Sequence, residues 1–395
     1  MAIMVKRLYK FPEVLFFQEG PGVRNHQYTT SGVKLLNVSN LRNGKIDLTT
    51  SDRYISENEA FNKYSHFLCD PNDFIIASSG IKIDSFDSKM GFIHQSDLPV
   101  CMNTSTIRFK VLKKEVLEIR YFMYYLKSIA FKKVLTKVVT GSAQLNFGPS
   151  HLKNMSISLP NLDIQKNIVQ RLDRVNKLIE IKRKLLFQLD ELVKSRFVEL
   201  FGDVVLNTLN WPLVKLSDIA EYRIGLTYKP ESVSSSGIAV LRSGNIQNSQ
   251  LCYEDTIYVN SKVESKLLLK KHDILMCARN GSQSLVGKVA LIENDISNTT
   301  YGAFMMVISS KYYVYLFEYF RSQAFRRLIS VGSTTTINQI TTRMLNSIVI
   351  PLPDMDTINR FVLYHSQINK LKSDVQKSID ETQLLMDSLM QEYFG

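Results

Sequence analysis

The sequence predicts an α+β fold in which two mixed α/β domains are separated by two long helices. The helices are expected to form an antiparallel coiled coil within a pseudo-two-fold internal repeat. Three observations predict this architecture: a series of internal matches in the same order, a long glycine- and proline-free segment with helical periodicity, and short β-type runs bounded by turn residues.

The internal repeat is clearest where YLKSIAFKKVL (125–135) matches YFRSQAFRRLI (319–329). Each copy continues through Gly-Ser to Leu-Pro, at Pro160 and Pro353. From these prolines the two copies run 193 residues apart, without a gap, to Phe201-Gly202 and Phe394-Gly395. Upstream, GVKLLNVSNLRNGKI parallels GIAVLRSGNIQNSQL, and Asp73-Phe-Ile-Ile parallels Asp273-Ile-Leu-Met. Matches that keep their order while loop lengths differ indicate a duplication.

The repeat sets the predicted boundaries along the chain. We expect a first globular domain over residues 1–160 and a first long helix over 161–203. A second globular domain then covers 204–353, and a second long helix covers 354–395.

Apolar residues at three-four spacing predict that the two helices pack on each other. About 38 residues at 1.5 Å each give the first helix a length of roughly 57 Å, and a helix of that length needs a partner to cover its apolar stripe. His365, Lys372 and Thr382 interrupt the second stripe. The alternative is that each helix packs on its own domain. The predicted seam consists of Leu172, Val175, Ile179, Leu186, Leu189, Val193, Ile368, Val375, Ile379, Met386 and Leu389.

The globular domains are predicted to mix strands and helices. The runs IKIDSF, MGFIHQ, TIRFKVL, GKVALI and AFMMVIS have β-type composition, and residues 113–139 are expected to be helical. Strict alternation of strand and helix is not evident, which favours α+β over a doubly wound sheet.

Composition restricts the partners and the compartment. The net charge of +12 and the sequence pI near 9.3 favour a polyanionic partner. The sequence has no long apolar run and starts without an apolar leader, so we expect a cytoplasmic protein that does not bind a membrane. Its four cysteines are far apart, and we expect no bound metal.

Several segments resemble the specificity subunit of type I restriction-modification systems. They are Leu159-Pro-Asn-Leu-Asp-Ile-Gln165, the helix end LDELVKSRFVELFG (189–202), and DILMCARNG (273–281) running into VGKVALI (286–292). The resemblance extends over the whole chain. One departure is that the second copy has Ile358 where the first has Gln165.

The resemblance implies a sequence-specific DNA-recognition subunit that is not itself catalytic. Each globular domain would be a target recognition domain that reads one half of a bipartite, asymmetric target in double-stranded DNA. The helices would set the spacing, on the order of 17 base pairs by length, and dock two methyltransferase subunits. Motor-nuclease subunits would join the full complex. The resemblance also implies no cofactor in this chain, with S-adenosylmethionine, ATP and Mg²⁺ on the partner subunits.

Candidate DNA-contacting residues are donor-rich side chains in loops after short apolar strands, since Arg, Lys, Asn and Gln read base edges. In the first domain they are Gly20, Gly22, Arg24, Asn25, Gln27, Tyr28, Asn37, Ser39, Asn40, Arg42, Ser78, Ser79, Lys82, Gln144 and Asn146. In the second they are Arg242, Ser243, Asn245, Gln247, Arg279, Asn280, Ser282, Gln283, Thr335 and Asn338. Lys132, Lys133, Arg326 and Arg327 are candidate phosphate contacts, although a solvated helix face explains them equally.

Catalytic motifs are weak, and no catalytic residue is predicted. DPND (70–73) lacks the second proline and the aromatic residue of an amino-methyltransferase, and Gly281 to Lys288 misses the phosphate-binding loop in spacing. The alternatives are another basic nucleic-acid-binding scaffold and an intrinsic DNA methyltransferase or nuclease.

Overall fold

The computed structural model describes residues 5–138, 145–331 and 338–395. These residues form two compact units. The first unit comprises Met1–Lys182 and Ser378–Gly395, and the second comprises Arg183–Lys377. Each unit therefore contains part of both long helices.

The first unit contains thirteen described strands and four short helices ahead of the first long helix. The strands are β1 (Arg7–Lys10), β2 (Leu15–Glu19), β3 (Val33–Leu36), β4 (Leu41–Arg42), β5 (Lys45–Ile46), β6 (Tyr54–Ile55), β7 (Phe74–Ala77), β8 (Ser79–Ile81), β9 (Met90–Phe92), β10 (Val100–Met102), β11 (Thr106–Val111), β12 (Leu145–Asn146) and β13 (Ser156–Leu159). The helices are α1 (Phe11–Val14), α2 (Ile119–Lys127), α3 (Ile129–Val138), α4 (Pro149–Leu152) and the long α5 (Leu162–Phe201).

A four-stranded antiparallel sheet, in the order β2-β11-β7-β9, forms the centre of the first unit. A second sheet has the order β10-β3-β6, with β10 and β3 parallel. Phe74 and Phe109 lie on the four-stranded sheet, and Phe122 of α2 packs on both rings at 6.4 and 5.1 Å between centroids. The core therefore lies between this sheet and α2.

The second unit repeats this order of elements. Its strands are β14 (Leu213–Lys215), β15 (Glu221–Ile224), β16 (Val233–Ser234), β17 (Ile238–Leu241), β18 (Ile246–Gln247), β19 (Gln250–Leu251), β20 (Ile257–Val259), β21 (Ile274–Cys277), β22 (Arg279–Asn280), β23 (Val289–Leu291), β24 (Thr299–Tyr301), β25 (Met305–Ser309), β26 (Asn338–Gln339) and β27 (Val349–Pro351). Its helices are α6 (Leu216–Ile219), α7 (Tyr313–Arg321), α8 (Gln323–Val331), α9 (Thr342–Ser347) and the long α10 (Met355–Phe394). The sheets β15-β25-β21-β23 and β16-β20-β17-β24 correspond to those of the first unit.

The long helices run antiparallel in both units, as predicted. In the first unit Arg171 donates to the hydroxyl of Tyr393 (3.3 Å), and Lys182 donates to the carbonyl oxygen of Ser378 (2.9 Å). In the second unit Lys372 donates to the carboxylate of Asp190 (2.7 Å). In both units, residues farther along α5 contact residues that come earlier in α10.

The predicted seam residues lie on the packed faces of the helices. Buried members are Leu172, Val175, Ile179, Leu189, Val193, Ile368 and Ile379, while Leu186, Val375, Met386 and Leu389 are half-buried. Of the polar residues that interrupt the second stripe, Lys372 and Thr382 contact α5, whereas the buried His365 lies against Glu318 of α7.

The repeated Phe-Gly endings have a packing role. Phe201 is fully buried and lies 5.0 Å from the ring of Tyr315 in the second unit. Phe394 lies 4.9 Å from Tyr121 in the first unit. Gly202 has a φ of +71°, the left-handed conformation that ends a helix without a side-chain clash. The aromatic residue therefore anchors each helix end, and in the first copy the glycine stops the helix.

Two predicted elements differ from the structure. Residues 113–139 are not one helix: α2 starts at Ile119, and Ser128 separates it from α3 by bonding back to the carbonyl of Tyr125 and capping the amide of Phe131. Ser322 separates α7 and α8 in the same way. The run IKIDSF contributes only Ile81 to a strand, because residues 83–88 form a 3-10 turn.

Each unit contains a buried aspartate paired with an arginine of its central sheet. In the first unit Arg108 of β11 donates to Asp73 (3.2 Å) and to the carbonyl of His66. In the second unit Arg223 of β15 donates to Asp273 (2.9 Å) and to the carbonyl of Lys266. Burial raises the pKa of the Asp73 carboxyl, and Arg108 and Lys110 oppose that rise.

The two arginines occupy the same place from different strands. Arg108 faces Gln18 across the β11–β2 pair, whereas Arg223 of β15 faces Val307 of β25. The arginine of this cross-strand pair thus lies on opposite strands in the two units. In the first it is on β11 and faces a glutamine of β2, and in the second it is on β15 and faces a valine of β25. The guanidinium is retained because the buried aspartate requires a cation.

This exchange generates a prediction. Arg108→Val should destabilise the first unit by about 3 kcal/mol, because it leaves the Asp73 carboxylate without its guanidinium partner. The double variant Gln18→Arg/Arg108→Val copies the second unit and should recover more than half of that loss. Chemical unfolding of the full chain measures both. A double variant no more stable than Arg108→Val would contradict the exchange.

Candidate nucleic-acid interface

Four segments meet at one edge of the first unit, which we call the first loop edge. They are residues 20–28 after β2, 37–42 after β3, 78–82 after β7, and 103–105 between β10 and β11. Three of them are joined by the buried side chain of Asn103. Its amide nitrogen donates to Asn37 (2.9 Å), and its amide oxygen accepts from the backbone of Val23 (3.2 Å).

The first segment passes very close to this asparagine. A Cβ placed on Gly20 would lie 2.1 Å from the carbonyl oxygen of Asn103, a distance that no side chain tolerates. A Cβ on Gly22 would meet only the end of the Arg24 side chain, at 4.0 Å. Gly20 therefore permits the close approach of two backbones, and Gly22 does not serve that purpose.

The remaining segment joins the same edge through its backbone. Ser78 donates its amide hydrogen to the carbonyl of Ser105 (2.9 Å) and accepts from Phe147 (2.9 Å). Asn146 of β12 pairs with Ser79 of β8. The structure thus brings together candidates that are far apart in the sequence.

Candidates at the first loop edge divide by exposure. Gln27 is held by Glu59 and Tyr64, and the half-buried Tyr28 lies under the guanidinium of Arg53 at 5.5 Å. Ser78 is buried, Ser79 is half-buried, and the buried amides of Asn37 and Asn40 hold the turn after β3. The side chains that face solvent are those of Arg24, Asn25, Ser39, Arg42, Lys82 and Asn146.

The second unit has a corresponding second loop edge, formed by residues 225–228, 242–247, 278–283 and 302–304. Gly225 lies against Gly302 as Gly20 lies against Asn103, with a Cβ on Gly225 falling 2.2 Å from a carbonyl oxygen. Asn280 donates to the hydroxyl of Ser243 (3.0 Å), which links the second and third segments.

Arg279 is the most contacted of the exposed cations at the second loop edge. Its Nε and Nη2 atoms donate to the amide oxygen of Gln339, at 3.1 and 2.6 Å. Its guanidinium also lies 5.8 Å from the centre of the Phe304 ring. These contacts fix the direction of an otherwise flexible side chain.

The other candidates of the second unit are also placed. Asn245 is buried, and its amide holds the turn after β17 by bonding to Arg242, Cys252 and Glu254. Ser243, Asn280 and Asn338 are half-buried. The exposed members are Arg242, Gln247, Arg279, Ser282 and Gln283.

The phosphate candidates differ in their exposure. Lys132 forms an ion pair with Asp87 (2.8 Å), and Arg326 donates to the carbonyl of Val286. Burial lowers the pKa of Arg326. Lys133 and Arg327 are exposed. Gln144 and Thr335 lie outside the described residues.

Sequence reasoning missed Asn103, Gln339 and Phe304, which belong to or contact the loop edges. Asn103 and Phe304 lie in the same β–β loop of the two repeats, outside the matched segments that identified the duplication. Gln339 follows the predicted Asn338, and its polarity was the available signal.

Among the described residues there is no cluster of His, Cys, Asp or Glu side chains able to hold a metal ion. The same residues include no helix of the length and apolarity needed to span a membrane.

Comparison with known proteins assigns the fold and the family. The family described as the type I restriction modification DNA specificity domain matches residues 30–191 and 209–385. A solved structure of the type I restriction-modification S subunit from M. genitalium aligns with 100% of this chain and 97% of its own, with a TM-score of 0.54 at 14% identity. A structure from a study of type I R-M complex assembly covers 98% of this chain and 97% of its own, with a TM-score of 0.53 at 16% identity.

Curated relatives carry the same description. The MjaVIII specificity subunit of Methanocaldococcus jannaschii is 31% identical over 208 residues, which is 51% of this chain and 47% of the relative. The chain thus matches about half the length of that relative. The StySPI specificity subunit of Salmonella potsdam is 23% identical over 382 residues, covering 90% of this chain and 80% of its own.

Two matched segments together span most of the chain and contain the second loop edge and three of the four segments of the first, which shows that this protein belongs to the type I restriction modification DNA specificity domain family.

Proposed function

We propose that the chain is the DNA-recognition subunit of a type I restriction-modification system. Each loop edge reads one half of a bipartite, asymmetric target in double-stranded DNA. The observation that carries this proposal is that both edges share the same four segments and the same glycine contact, while their exposed side chains differ. A shared framework with different donors suits two readers of different sequences.

The exposed donors fit direct readout of base edges. Arginine donates in bidentate fashion to guanine, and asparagine or glutamine pairs with adenine in the major groove. Arg24, Asn25 and Asn146 supply these groups in the first unit, and Arg242, Arg279 and Gln283 in the second. The net charge of +12 supports backbone attraction in addition to readout.

The long helices have exposed leucines at equivalent positions, which supports the docking of two copies of one partner. In the first unit Leu178 of α5 is 49% exposed and Leu385 of α10 is 50% exposed. In the second unit Leu371 of α10 is 50% exposed and Leu192 of α5 is 48% exposed. Leu178 corresponds to Leu371 in the repeat, and Leu192 corresponds to Leu385. Apolar side chains left in water at matching sites mark interaction surfaces.

The partner at these surfaces is the methyltransferase subunit, and motor-nuclease subunits complete the restricting complex. S-adenosylmethionine, ATP and Mg²⁺ belong to those subunits. This chain supplies recognition rather than catalysis, a division supported by relatives named specificity subunits. The functional division of the chain follows residues 1–160, 161–203, 204–353 and 354–395, since the readers and the helices have separate tasks.

Sequencing methylated adenines in the host genome tests the proposal. A single bipartite motif with two unlike halves is expected, and it should disappear when the gene for this chain is deleted. Methyl transfer by the purified chain alone would instead identify an intrinsic methyltransferase.

Gly20→Ala should impair the first reader and leave the second intact. The added Cβ would overlap the Asn103 carbonyl, so the first loop edge must shift. We expect the methylated motif to relax in one half only. Gly22→Ala is the matched control, because a Cβ there would meet only the end of the Arg24 side chain, at 4.0 Å, and it should leave both halves unchanged. Equal effects of the two variants would contradict the role of Gly20.

Arg279→Ala should change one half-site and leave the other. Loss of a bidentate contact costs about 1–3 kcal/mol at one base pair. Binding of the assembled complex to a randomised DNA library measures this loss. The comparison variant is Lys133→Ala, an exposed phosphate candidate, which should weaken all sequences uniformly. Uniform weakening by Arg279→Ala would identify Arg279 as a phosphate contact as well.

Residues 1–203, expressed alone, should pair with a second copy. The first unit needs the end of an antiparallel helix, where Phe394 packs against Tyr121, and Phe201 of a second copy holds the equivalent position. Sedimentation analysis should give a dimer, and a strictly monomeric, folded fragment would contradict this prediction.

Adding residues 204–395 should replace that dimer by a mixed pair. In the full chain Lys182 donates to the Thr382 hydroxyl (2.5 Å), but a second copy of the fragment presents Leu189 at that place. The mixed pair restores this bond and the Asp190–Lys372 ion pair. A fragment dimer that persists with excess second half would show that these polar contacts do not direct pairing.

A further inference from the structure

Phe304 is a large apolar side chain held in solvent at the second loop edge. It is 60% exposed and lies in the short loop between β24 and β25. The loop is fixed by its backbone: the carbonyl of Phe304 accepts from the amides of Ala278 (2.9 Å) and Arg279 (3.0 Å). The neighbouring Met305 is 1% exposed and anchors the strand that follows. Backbone hydrogen bonds therefore fix the position from which the ring projects into solvent.

Donors and a cavity surround this ring. Arg279 lies 5.8 Å from its centre and is itself held by Gln339. Beside the ring is an open cavity of about 680 Å³ whose lining includes Tyr228, Arg242 and Phe304. Apolar surface and guanidinium donors thus lie next to each other on one edge, as required to contact the mixed surface of a base pair.

The first unit shows that folding does not require an aromatic residue here. Ser105 holds the equivalent position, and its carbonyl accepts from the amide of Ser78 as the Phe304 carbonyl accepts from Ala278. The two loops thus share this hydrogen-bond anchor, while the side chain is a half-buried serine in the first unit and an exposed phenylalanine in the second. An exposed ring that the fold does not need, on an edge proposed to bind DNA, suggests a contact made with the ligand.

The chemistry of the major groove restricts which group an apolar ring can contact there. In the major groove, donors and acceptors occupy nearly the whole edge of each base pair, and the 5-methyl of thymine is its apolar group. We propose that Phe304 is a specificity-determining residue that contacts the 5-methyl group of a thymine in the half-site read by the second unit. Arg279 and Arg242 flank this contact and donate to neighbouring acceptors. The inference rests on the proposed function and deepens it.

The test uses the full-length chain assembled with its methyltransferase subunit, bound to a duplex carrying the methylated motif. The half-site of the second unit is the one that Gly20→Ala leaves unchanged. Each thymine in that half is replaced in turn by deoxyuridine, which removes only the methyl group. One replacement should weaken binding of the parent roughly 3- to 10-fold. Phe304→Ala should bind the thymine and deoxyuridine duplexes equally.

Two further variants act as controls. Phe304→Ser copies the first unit and should behave as Phe304→Ala while unfolding at the parental temperature. Phe61→Ala removes another exposed phenylalanine, in the first unit, and should leave the deoxyuridine penalty in the second half unchanged.

The outcomes distinguish failure of the proposed function from failure of the thymine contact alone. A parent complex without a bipartite motif would overturn the proposed function. A bipartite motif whose second half has no thymine, or whose deoxyuridine penalty survives in Phe304→Ala, would overturn the thymine contact alone. If deoxyuridine does not weaken binding of the parent, and Phe304→Ala weakens binding to both duplexes equally, then the ring contacts the DNA backbone or inserts between base pairs. That result would also overturn the thymine contact.

Discussion

Completion of each core by a helix from the other half of the chain is the constraint on which this structure depends. The first unit is built mainly from the N-terminal half, yet Tyr393 and Phe394 belong to its core. The second unit is built mainly from the C-terminal half, yet Phe197 and Phe201 belong to its core. Because buried aromatic rings contribute strongly to stability, each core depends on an antiparallel helix end that is supplied by the other half of the chain or by a second copy.

Polar contacts make that pairing selective. A polar residue in an otherwise apolar helix seam specifies the register and the partner. Two contacts in the seam are polar: Lys182 bonds to Thr382, and Lys372 pairs with Asp190. Neither pair of residues is repeated at the equivalent positions of the other unit. In unit two the ion pair is extended by Arg321, 3.7 Å from Asp190. The residues that weakened the helical pattern in the sequence are therefore those that distinguish mixed pairing from self-pairing.

The sequence predicted the architecture because repeats and periodicity are properties of the chain itself. The matched Phe-Gly endings and the three-four spacing of leucines gave both helices and their antiparallel pairing. The serine breaks at Ser128 and Ser322 were missed, since a serine inside a helical pattern reveals its capping bond only in the folded backbone.

The candidate site was predicted in outline rather than in detail. Three of the four segments at the first loop edge and two of the four at the second were predicted from polar residues in loops, and the structure brings them together. Residues 103–105, 225–228 and 302–304 were missed. Burial then separated residues of the same type: Asn25 is exposed, whereas Asn40 is buried and holds a turn through Asp47 and Thr50. Composition cannot distinguish them, because exposure depends on contacts between distant segments. Gln165 is a similar case, since its buried amide bonds to Val116 and Glu118 and joins α5 to the segment before α2.

The two units also show which positions differ within one fold. Buried positions changed in compensating pairs, as Gln18 and Arg108 correspond to Arg223 and Val307 around a retained aspartate. A position at the loop edge differs singly, since the half-buried Ser105 corresponds to the exposed Phe304 on a loop with the same hydrogen-bond anchor. Substitution at the loop edge costs little stability because few native contacts are lost there. Single substitutions can therefore change the exposed side chains of the proposed DNA-reading edges, whereas the arginine beside the buried aspartate differs between the units at both positions of its cross-strand pair.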